Sequence, residues 1–366
     1  MQKGSIDQKK FFEAFHFPLS TFYFSLFTFY FSLCTFYFSL FTFYFSLFTF
    51  YFSLCTYGQA SLQRFEYERP LMGTAFKLVF YASTEDLAKQ ASDSTFRRIE
   101  YLNGILSDYL DSSEVNRLSS LAGSGKYISV SKDLFSVLEK SQSLSRQTNG
   151  AFDVSIGAVV QLWRRAIRRG EYPSKAALKA AQKTVSWKKI HLDPNNQSVN
   201  LSQRSTRLDF GGIGKGYAAD QALGVLRYFG ISSALIDAGG DLTLGDAPPH
   251  KTGWEIEISS GGGDTIATKH VLLARCGVAT SGHTYRYLMH KGRRYSHIVH
   301  PRTGVGLTTH TRTTVIAPDG TTADALATAF SVLGIQKGRK IASQWPQIAV
   351  WLIEAEGQQW KTESFP

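Results

Sequence analysis

Two oxygen-bearing side chains lie one helical turn apart in the last sixth of the chain. Asp324 and Thr328 fall in the segment 321–329, whose pattern predicts a helix, and their spacing places both on one face. A carboxylate and a hydroxyl so arranged suit Mg²⁺, which takes one or two protein oxygens beside phosphate and water. A structural role also fits, because Thr321 with Asp324 matches a capping box and Thr328 can bond back to a helix carbonyl.

A glycine-rich turn at 211–216 is the second candidate. A short apolar run ends at Asp209, and four glycines then surround Lys215 before a helical pattern begins. Glycines let the backbone approach a ligand, and a helix start presents free N–H groups. A second glycine pair precedes Asp241. The two turns favour a bound phosphate or nucleotide, although their spacing matches neither the dinucleotide fingerprint nor the P-loop, and a tight strand-to-helix junction would leave the same pattern.

His297 is the candidate general base. It stands near the end of a predicted strand, just before a turn at 301–304. Histidine can take up a proton near neutral pH, which suits activation of a hydroxyl nucleophile. His283, His290 and His300 are alternative candidates, and a single histidine is more often structural.

Those groups must be positioned by a fold with helices separated by pairs of strands. The predicted helices include one capped by Ser83 with Asp86, one at 132–148 and one at 321–333 that stops at Gly334. A hairpin is predicted at 189–201, and further strands follow between 254 and 354. The pattern indicates one α+β domain with a mostly antiparallel sheet.

The chain has 366 residues and a net charge of +11, which favours anionic cofactors, acidic partners or a membrane surface. Four arginines follow Trp163 on a predicted helix and are interpreted as a solvated basic face: Arg164, Arg165, Arg168 and Arg169. No nucleic-acid recognition module is recognisable, so we expect no nucleic-acid partner. The three cysteines have neither disulfide-framework nor metal-site spacing.

The first sixty residues differ from the rest. A seven-residue aromatic unit repeats between 21 and 56, lysines precede it, and no charged residue occurs between Glu13 and Arg64. This pattern predicts an export signal cleaved after Ala60, or alternatively an uncleaved membrane anchor. We therefore divide the chain into 1–60, a signal peptide or anchor, and 61–366, the folded domain.

Several short motifs resemble, in the same order, those of the ApbE family, the FAD:protein FMN transferases. The resemblance runs from about Arg64 to the end of the chain, and the motifs that carry it are Met72-Gly73-Thr74, Ala151-Phe152-Asp153, the segment 208–220, Asp237-Ala238-Gly239-Gly240-Asp241, Ala279-Thr280-Ser281-Gly282, Ser296-His297-Ile298, Pro301-Arg302-Thr303-Gly304 and the segment 323–329.

The resemblance implies an ApbE-like, T-fold-related α+β fold and a Mg²⁺-dependent enzyme. Such an enzyme cleaves the pyrophosphate of FAD and transfers FMN to a Thr or Ser hydroxyl of an acceptor protein, releasing AMP. Acceptors in this family are typically subunits of membrane redox systems on the outer side of the membrane. A periplasmic or inner-membrane-anchored, outward-facing enzyme is thus expected, with any membrane association made by the first sixty residues.

The resemblance also implies roles for individual residues. Asp324, Thr328 and the main-chain carbonyl of Gly212 would hold Mg²⁺, and His297 would deprotonate the acceptor. The residues implied around FAD are Met72, Tyr109, Ala151, Phe152, Asp153, Asp209, Lys215 and Ile298.

Two positions depart from the family pattern. His300 stands where Asp is usual before Pro-Arg-Thr-Gly, and His283 stands where Asp or Asn is common. A flavin-binding protein that has lost catalysis through these two changes is therefore one alternative function. A Mg²⁺-dependent FAD hydrolase that gives FMN and AMP, using the same site with water as the nucleophile, is another.

Overall fold

The computed structural model describes residues 19–56, 61–259, 268–282, 287–309, 311–354 and 357–366. The chain divides into two compact units, Met1–Ser61 and Leu62–Pro366. The predicted cleavage point after Ala60 and the departure at His283 lie outside the described residues. The role assigned to the first sixty residues stays a prediction.

The helices of the described ranges have the following bounds: α1 Leu19–Thr56, α2 Glu85–Leu106, α3 Glu114–Ser120, α4 Lys132–Gln147, α5 Gly157–Arg169, α6 Lys175–Gln182, α7 Gly214–Tyr228 and α8 Gly320–Ala342. The strands there are β1 Gln63–Leu71, β2 Thr74–Ala82, β3 Ile128–Ser129, β4 Ile190–Asp193, β5 Ser198–Leu201, β6 Ala234–Ala238, β7 Leu242–Leu244, β8 Trp254–Ser259, β9 Thr268–Leu273, β10 Cys276–Gly282, β11 Tyr287–His290, β12 Arg293–Ser296, β13 Arg312–Ala317, β14 Ala349–Ile353 and β15 Gln359–Lys361.

The first unit contains the helix α1. Its stretch Leu19–Tyr51 is long and apolar enough to cross a membrane, a test that a signal sequence near the amino terminus passes equally. The threonine hydroxyls bond back to serine carbonyls three residues earlier, as Thr35 does to Ser32 at 2.8 Å. These bonds satisfy the threonine hydroxyls of the repeat within the helix itself.

The second unit is built on an eight-stranded antiparallel sheet with the order β1-β2-β6-β7-β10-β13-β14-β15. Strands β1 and β2 form a hairpin in which Leu71 pairs with Thr74. The two turn residues, Met72 and Gly73, have φ values of 51° and 75°. Positive φ at both positions is the signature of a type I′ turn, which matches the natural twist of a hairpin.

Alternating side chains of the sheet face two different partners. Phe76, Leu78 and Phe80 of β2 pack into the main core, which includes apolar residues of α2, α7 and α8. Val79, between them, belongs to a second core with Trp254 of the β8–β9 hairpin. The period of two in buried residues is what a sheet covered on both faces requires.

Helices α7 and α8 meet where both begin. A Cβ on Gly216 would lie 2.2 Å from the carbonyl oxygen of Gly320, so only glycine allows this approach. Asp220 of α7 accepts hydrogen bonds from the N–H groups of Gly320 at 2.8 Å and Thr321 at 2.9 Å. Its carboxylate therefore satisfies two of the free amides at the start of α8.

The helix caps differ from the sequence prediction by one or two residues. Thr84, not Ser83, caps α2, and Asp319, not Thr321, caps α8 by accepting from the N–H of Thr322 at 2.6 Å. The predicted stop of the last helix is present as a break inside α8, because Gly334 has φ 66° and ψ −179°. Both cap shifts follow from competition between neighbouring oxygen-bearing residues for the same N–H groups.

A smaller core anchors the chain on either side of His297. Trp163 of α5 is fully buried and packs against Tyr295 of β12, with ring centroids 5.5 Å apart. The indole N–H of Trp163 donates to the carbonyl of Gly304 at 2.8 Å. The segment 297–303 is thus held at both ends by one tryptophan.

The contact between α7 and α8 makes a testable prediction. We expect Gly216→Ala to lower the free energy of unfolding by about 1–3 kcal/mol, because its methyl group meets backbone that cannot move aside. Gly224→Ala in the same helix is the matched control, since no atom outside the adjacent backbone of its own helix lies within 4 Å of its added Cβ. Gly224→Ala is expected to be neutral or mildly stabilising in chemical denaturation. Equal effects of the two substitutions would contradict the role of Gly216.

Candidate active site

A cleft of about 1040 Å³ opens at the edge of the main sheet where the β1–β2 turn, the β6–β7 loop and the end of β10 meet. Every residue proposed from the sequence for the site lies on its wall: Met72, Tyr109, Ala151, Phe152, Asp153, Asp209, Gly212, Lys215, His297, Ile298, Asp324 and Thr328. Residues spread over more than two thirds of the chain thus share one cavity.

The three predicted metal ligands line the same cleft. Asp324 is 5% exposed, and one of its oxygens accepts the N–H of Gly216 at 3.1 Å. A Cβ on Gly212 would lie 2.8 Å from Oγ1 of Thr328, so the glycine turn is pressed against this hydroxyl. Within the described ranges no group of three or more His, Cys, Asp and Glu side chains could hold a metal. A cation here would depend on one carboxylate, one hydroxyl and one carbonyl.

The Asp324 carboxyl has an unusual proton affinity. Burial raises its pKa to about 7, and the nearby Asp241 adds to the increase, while Lys215 and the N–H of Gly216 oppose it. A buried carboxylate whose charge is poorly compensated favours either a proton or a cation beside it.

Lys215 is not a free cation. Its ammonium group forms an ion pair with Asp241, whose other oxygen accepts the N–H of Thr280 at 3.2 Å. Burial alone would lower the pKa of Lys215, but Asp241 and Asp324 outweigh burial and raise it above its usual range. Lys215 therefore stays charged, and it ties the start of α7 to the β6–β7 loop and to β10.

A second buried ion cluster corrects the sequence interpretation of Arg164. The guanidinium pairs with Asp108 and with Asp209, the latter at 2.7 Å, and the Arg164 side chain is only 27% exposed. Arg164 is therefore part of the cleft wall and not of a solvated face, whereas Arg165 is exposed. Asp209 also accepts the N–H of Gly211 at 2.8 Å, which fixes the glycine turn.

Asp153 is held in the cleft wall by hydrogen bonds from two segments of the chain. Asp153 accepts from the N–H of Ser155 at 2.9 Å and from the N–H of Trp187 at 3.0 Å, and burial raises its pKa. It holds the turn that brings Ala151 and Phe152 to the cleft. Asp153 thus contributes by shaping the wall.

The histidines of the 297–303 segment have different surroundings. His297 lines the cleft, and its neighbour Ile298 is fixed by a bond from its N–H to the hydroxyl of Ser296 at 3.0 Å. Nδ1 of His300 accepts the N–H of Arg302 at 3.1 Å. Burial lowers the pKa of His300, and Lys337 and Arg302 lower it further.

The amino-acid sequence matches one known protein family over most of its length. The sequence pattern of the ApbE family matches residues 72–352. The chain belongs to the ApbE family. It is 30% identical over 312 residues to a FAD:protein FMN transferase of Treponema pallidum (strain Nichols), covering 81% of this chain and 86% of that protein.

Solved structures agree with this membership. The flavin transferase ApbE from Vibrio cholerae matches with a TM-score of 0.74 and 26% identity, covering 83% of this chain and 98% of that one. The ApbE protein from Thermotoga maritima matches with a TM-score of 0.75 and 26% identity, covering 82% and 97%. The predicted ApbE-like α+β fold with a mostly antiparallel sheet is confirmed.

Four charged cleft residues of this ApbE family member were not proposed for the site from the sequence: Asp108, Arg164, Arg168 and Asp241. Asp241 ends the Asp-Ala-Gly-Gly-Asp motif of the family resemblance, so the sequence could have indicated that it lies in the site. Asp108 directly precedes the proposed Tyr109, which is a weaker indication. Arg164 had none, because its partners lie far away in the sequence.

The raised pKa of Asp324 predicts a pH dependence of stability. Its carboxyl has an ordinary value of 3.8 when unfolded and about 7 when folded, so the folded state binds more protons between these values. The contribution of Asp324 to the free energy of unfolding must therefore fall as the pH rises from about 4 to about 7. We expect Asp324→Asn, measured by thermal unfolding in a chelator, to be more stable relative to the parent at pH 8 than at pH 5. The exposed Asp111→Asn is the control, and parallel curves for parent and Asp324→Asn would contradict the assignment.

Proposed function

We propose that the chain is a FAD:protein FMN transferase, with FAD as the flavin donor and a flavoprotein as the acceptor. The observation that carries the proposal is the single cleft that gathers a buried carboxylate, a glycine turn at a helix start, and a histidine. Its volume of about 1040 Å³ lies at the upper end of the range for ligand pockets, as a dinucleotide requires.

Mg²⁺ fits the oxygen cluster, held by Asp324, Thr328 and the carbonyl of Gly212. The buried Asp324 carboxylate lacks sufficient compensating charge, and all three donors are hard oxygens of the kind Mg²⁺ prefers. When bound, Mg²⁺ supplies positive charge that offsets the charge of the pyrophosphate.

The protein groups then have defined tasks in the transfer. His297 accepts the proton of the acceptor's Thr or Ser hydroxyl, whose oxygen attacks the phosphorus on the FMN side of the pyrophosphate. The bond from that phosphorus to the bridging oxygen breaks, and AMP leaves. Lys215, in the first turn of α7, lies on the cleft wall and supplies positive charge toward the anionic phosphates. Tyr109, Met72, Phe152 and Ile298 supply apolar surface for the rings.

The acceptor is proposed to be a subunit of a membrane redox system, and the enzyme to act outside the cytoplasm. This part of the proposal is supported by the apolar helix α1 near the amino terminus, which suits a cleaved export signal or a retained anchor. Sequencing the amino terminus of the mature protein distinguishes these two fates.

The activity is tested by incubating the full chain in detergent with FAD, Mg²⁺ and an acceptor protein bearing a reactive threonine. A transferase makes the acceptor fluorescent after denaturation and releases AMP in equal amount. Free FMN with AMP and an unlabelled acceptor would instead identify a hydrolase. Intact FAD would identify a binding protein without catalysis.

The metal assignment predicts the behaviour of Asp324→Ala. We expect transfer to fall by at least about 100-fold, because charge stabilisation worth several kcal/mol is lost. In the parent, Mg²⁺ should also raise the melting temperature, and this increase should be absent in the variant. Asp111→Ala is the control, and normal transfer by Asp324→Ala would exclude this ligand.

The base assignment predicts a separate effect for His297→Ala. We expect kcat to fall by about 10²–10⁴-fold, while the Kd for FAD stays close to the parent value. Added imidazole should restore part of the rate by supplying the missing base. His191→Asn, outside the cleft, is the control. A parent-like kcat for His297→Ala would exclude His297 as the base.

A further inference from the structure

One guanidinium group contacts two separate rims of the cleft. Arg164 pairs with Asp108 on the loop after α2 and donates to Asp209 at 2.7 Å, just before the glycine turn. The two carboxylate side chains are 8% and 7% exposed. The ion cluster is therefore largely shielded from water, where charge-assisted hydrogen bonds are strong and directional.

Each rim carries a group that faces the cleft. The Tyr109 ring, next to Asp108, lies 4.4 Å from the Arg164 guanidinium carbon, and Tyr109 is 68% exposed. A cation–π contact of this kind can orient a ring that is otherwise largely exposed. On the other side, Asp209 accepts the N–H of Gly211 and so sets the position of Gly212 beside Thr328.

We propose that Arg164 is a positioning residue for FAD, which fixes the Tyr109 ring and the 209–212 turn relative to each other. The inference rests on the proposed function for the identity of the ligand. The planar guanidinium group of arginine is needed, because it can bind two carboxylates and stack beneath a ring at the same time. A lysine at 164 could pair with Asp108 or Asp209 but would not support Tyr109.

Arg164→Lys is the informative substitution. It keeps one positive charge between two buried carboxylates, whereas removal of the charge would leave Asp108 and Asp209 facing each other unneutralised. Asp108→Asn is the second variant, because it weakens one end of the cluster and leaves Arg164 in place. Arg165→Lys is the matched control, since Arg165 is the next residue of α5, is exposed, and lies outside the cleft wall.

The test measures FAD binding without turnover. The full chain in detergent is titrated with FAD in the presence of a chelator, and the quenching of flavin fluorescence gives the Kd. We expect Arg164→Lys to raise the Kd by about 5- to 20-fold, Asp108→Asn to raise it less, and Arg165→Lys to leave it unchanged. In the transfer assay, Arg164→Lys should raise the KM for FAD together with lowering kcat.

A double-mutant cycle with Tyr109→Leu tests the mechanism. If Arg164 acts through the ring, Tyr109→Leu will weaken FAD binding less in the Arg164→Lys background than in the parent. Additive effects would overturn the inference. So would a parent-like Kd for Arg164→Lys, an equal weakening by Arg165→Lys, or a loss of melting temperature without any change in Kd.

Failure of the inference and failure of the proposed function give different results. A parent that binds FAD but labels no acceptor refutes the transferase, while the binding series still decides the role of Arg164. A parent that labels the acceptor while Arg164→Lys binds FAD normally refutes the positioning role alone.

Discussion

The site depends on two helices that touch at their first turns and exchange hydrogen bonds, because a carboxylate of each helix accepts N–H groups at the start of the other. Asp220 of α7 accepts amides at the start of α8, and Asp324 of α8 accepts the N–H of Gly216 at the start of α7. The exchange is possible because Gly216 lies against Gly320 without a side chain between them. Each helix thereby stabilises the positive end of the other, and the Asp324 carboxylate is carried into the cleft as part of this contact. The same hydrogen bonds therefore stabilise the fold and determine the geometry of the site.

The charge of the cleft is opposite to that of the whole chain. The chain carries a net charge of +11, yet among the described residues of the cleft wall the carboxylates outnumber Lys and Arg: Asp108, Asp153, Asp209, Asp241 and Asp324 stand against Arg164, Arg168 and Lys215. Two of these three cations are already paired with carboxylates. A dinucleotide would bring further negative charge, so a cation beside Asp324 would strengthen the binding proposed for this cleft. This balance, more than the oxygen ligands alone, is the physical argument for Mg²⁺.

The sequence predicts features that depend on neighbouring residues, but it does not predict contacts between residues that are far apart in the chain. The helical face shared by Asp324 and Thr328 and the glycine turn before α7 follow from spacing, and the confirmed fold follows from the order of elements. The order of the motifs also identified residues that line one cleft, although the roles of these residues stay predictions. Arg164 was wrongly interpreted as solvated, because helical periodicity cannot reveal that carboxylates at 108 and 209 approach it. The caps at Thr84 and Asp319 were missed because several adjacent residues could cap equally well.

The departure at His300 is explained by the hydrogen bond it makes. An aspartate before a turn commonly accepts the N–H two residues onward, and Nδ1 of His300 accepts the N–H of Arg302 in the same way. This role requires a neutral ring, and the lowered pKa of His300 keeps it neutral at physiological pH. Arg302 in turn donates to the carbonyl of Asn149 at 2.9 Å, directly before the turn that carries Ala151. The substitution therefore preserves the link between two walls of the cleft, and it gives no reason to expect that catalysis has been lost.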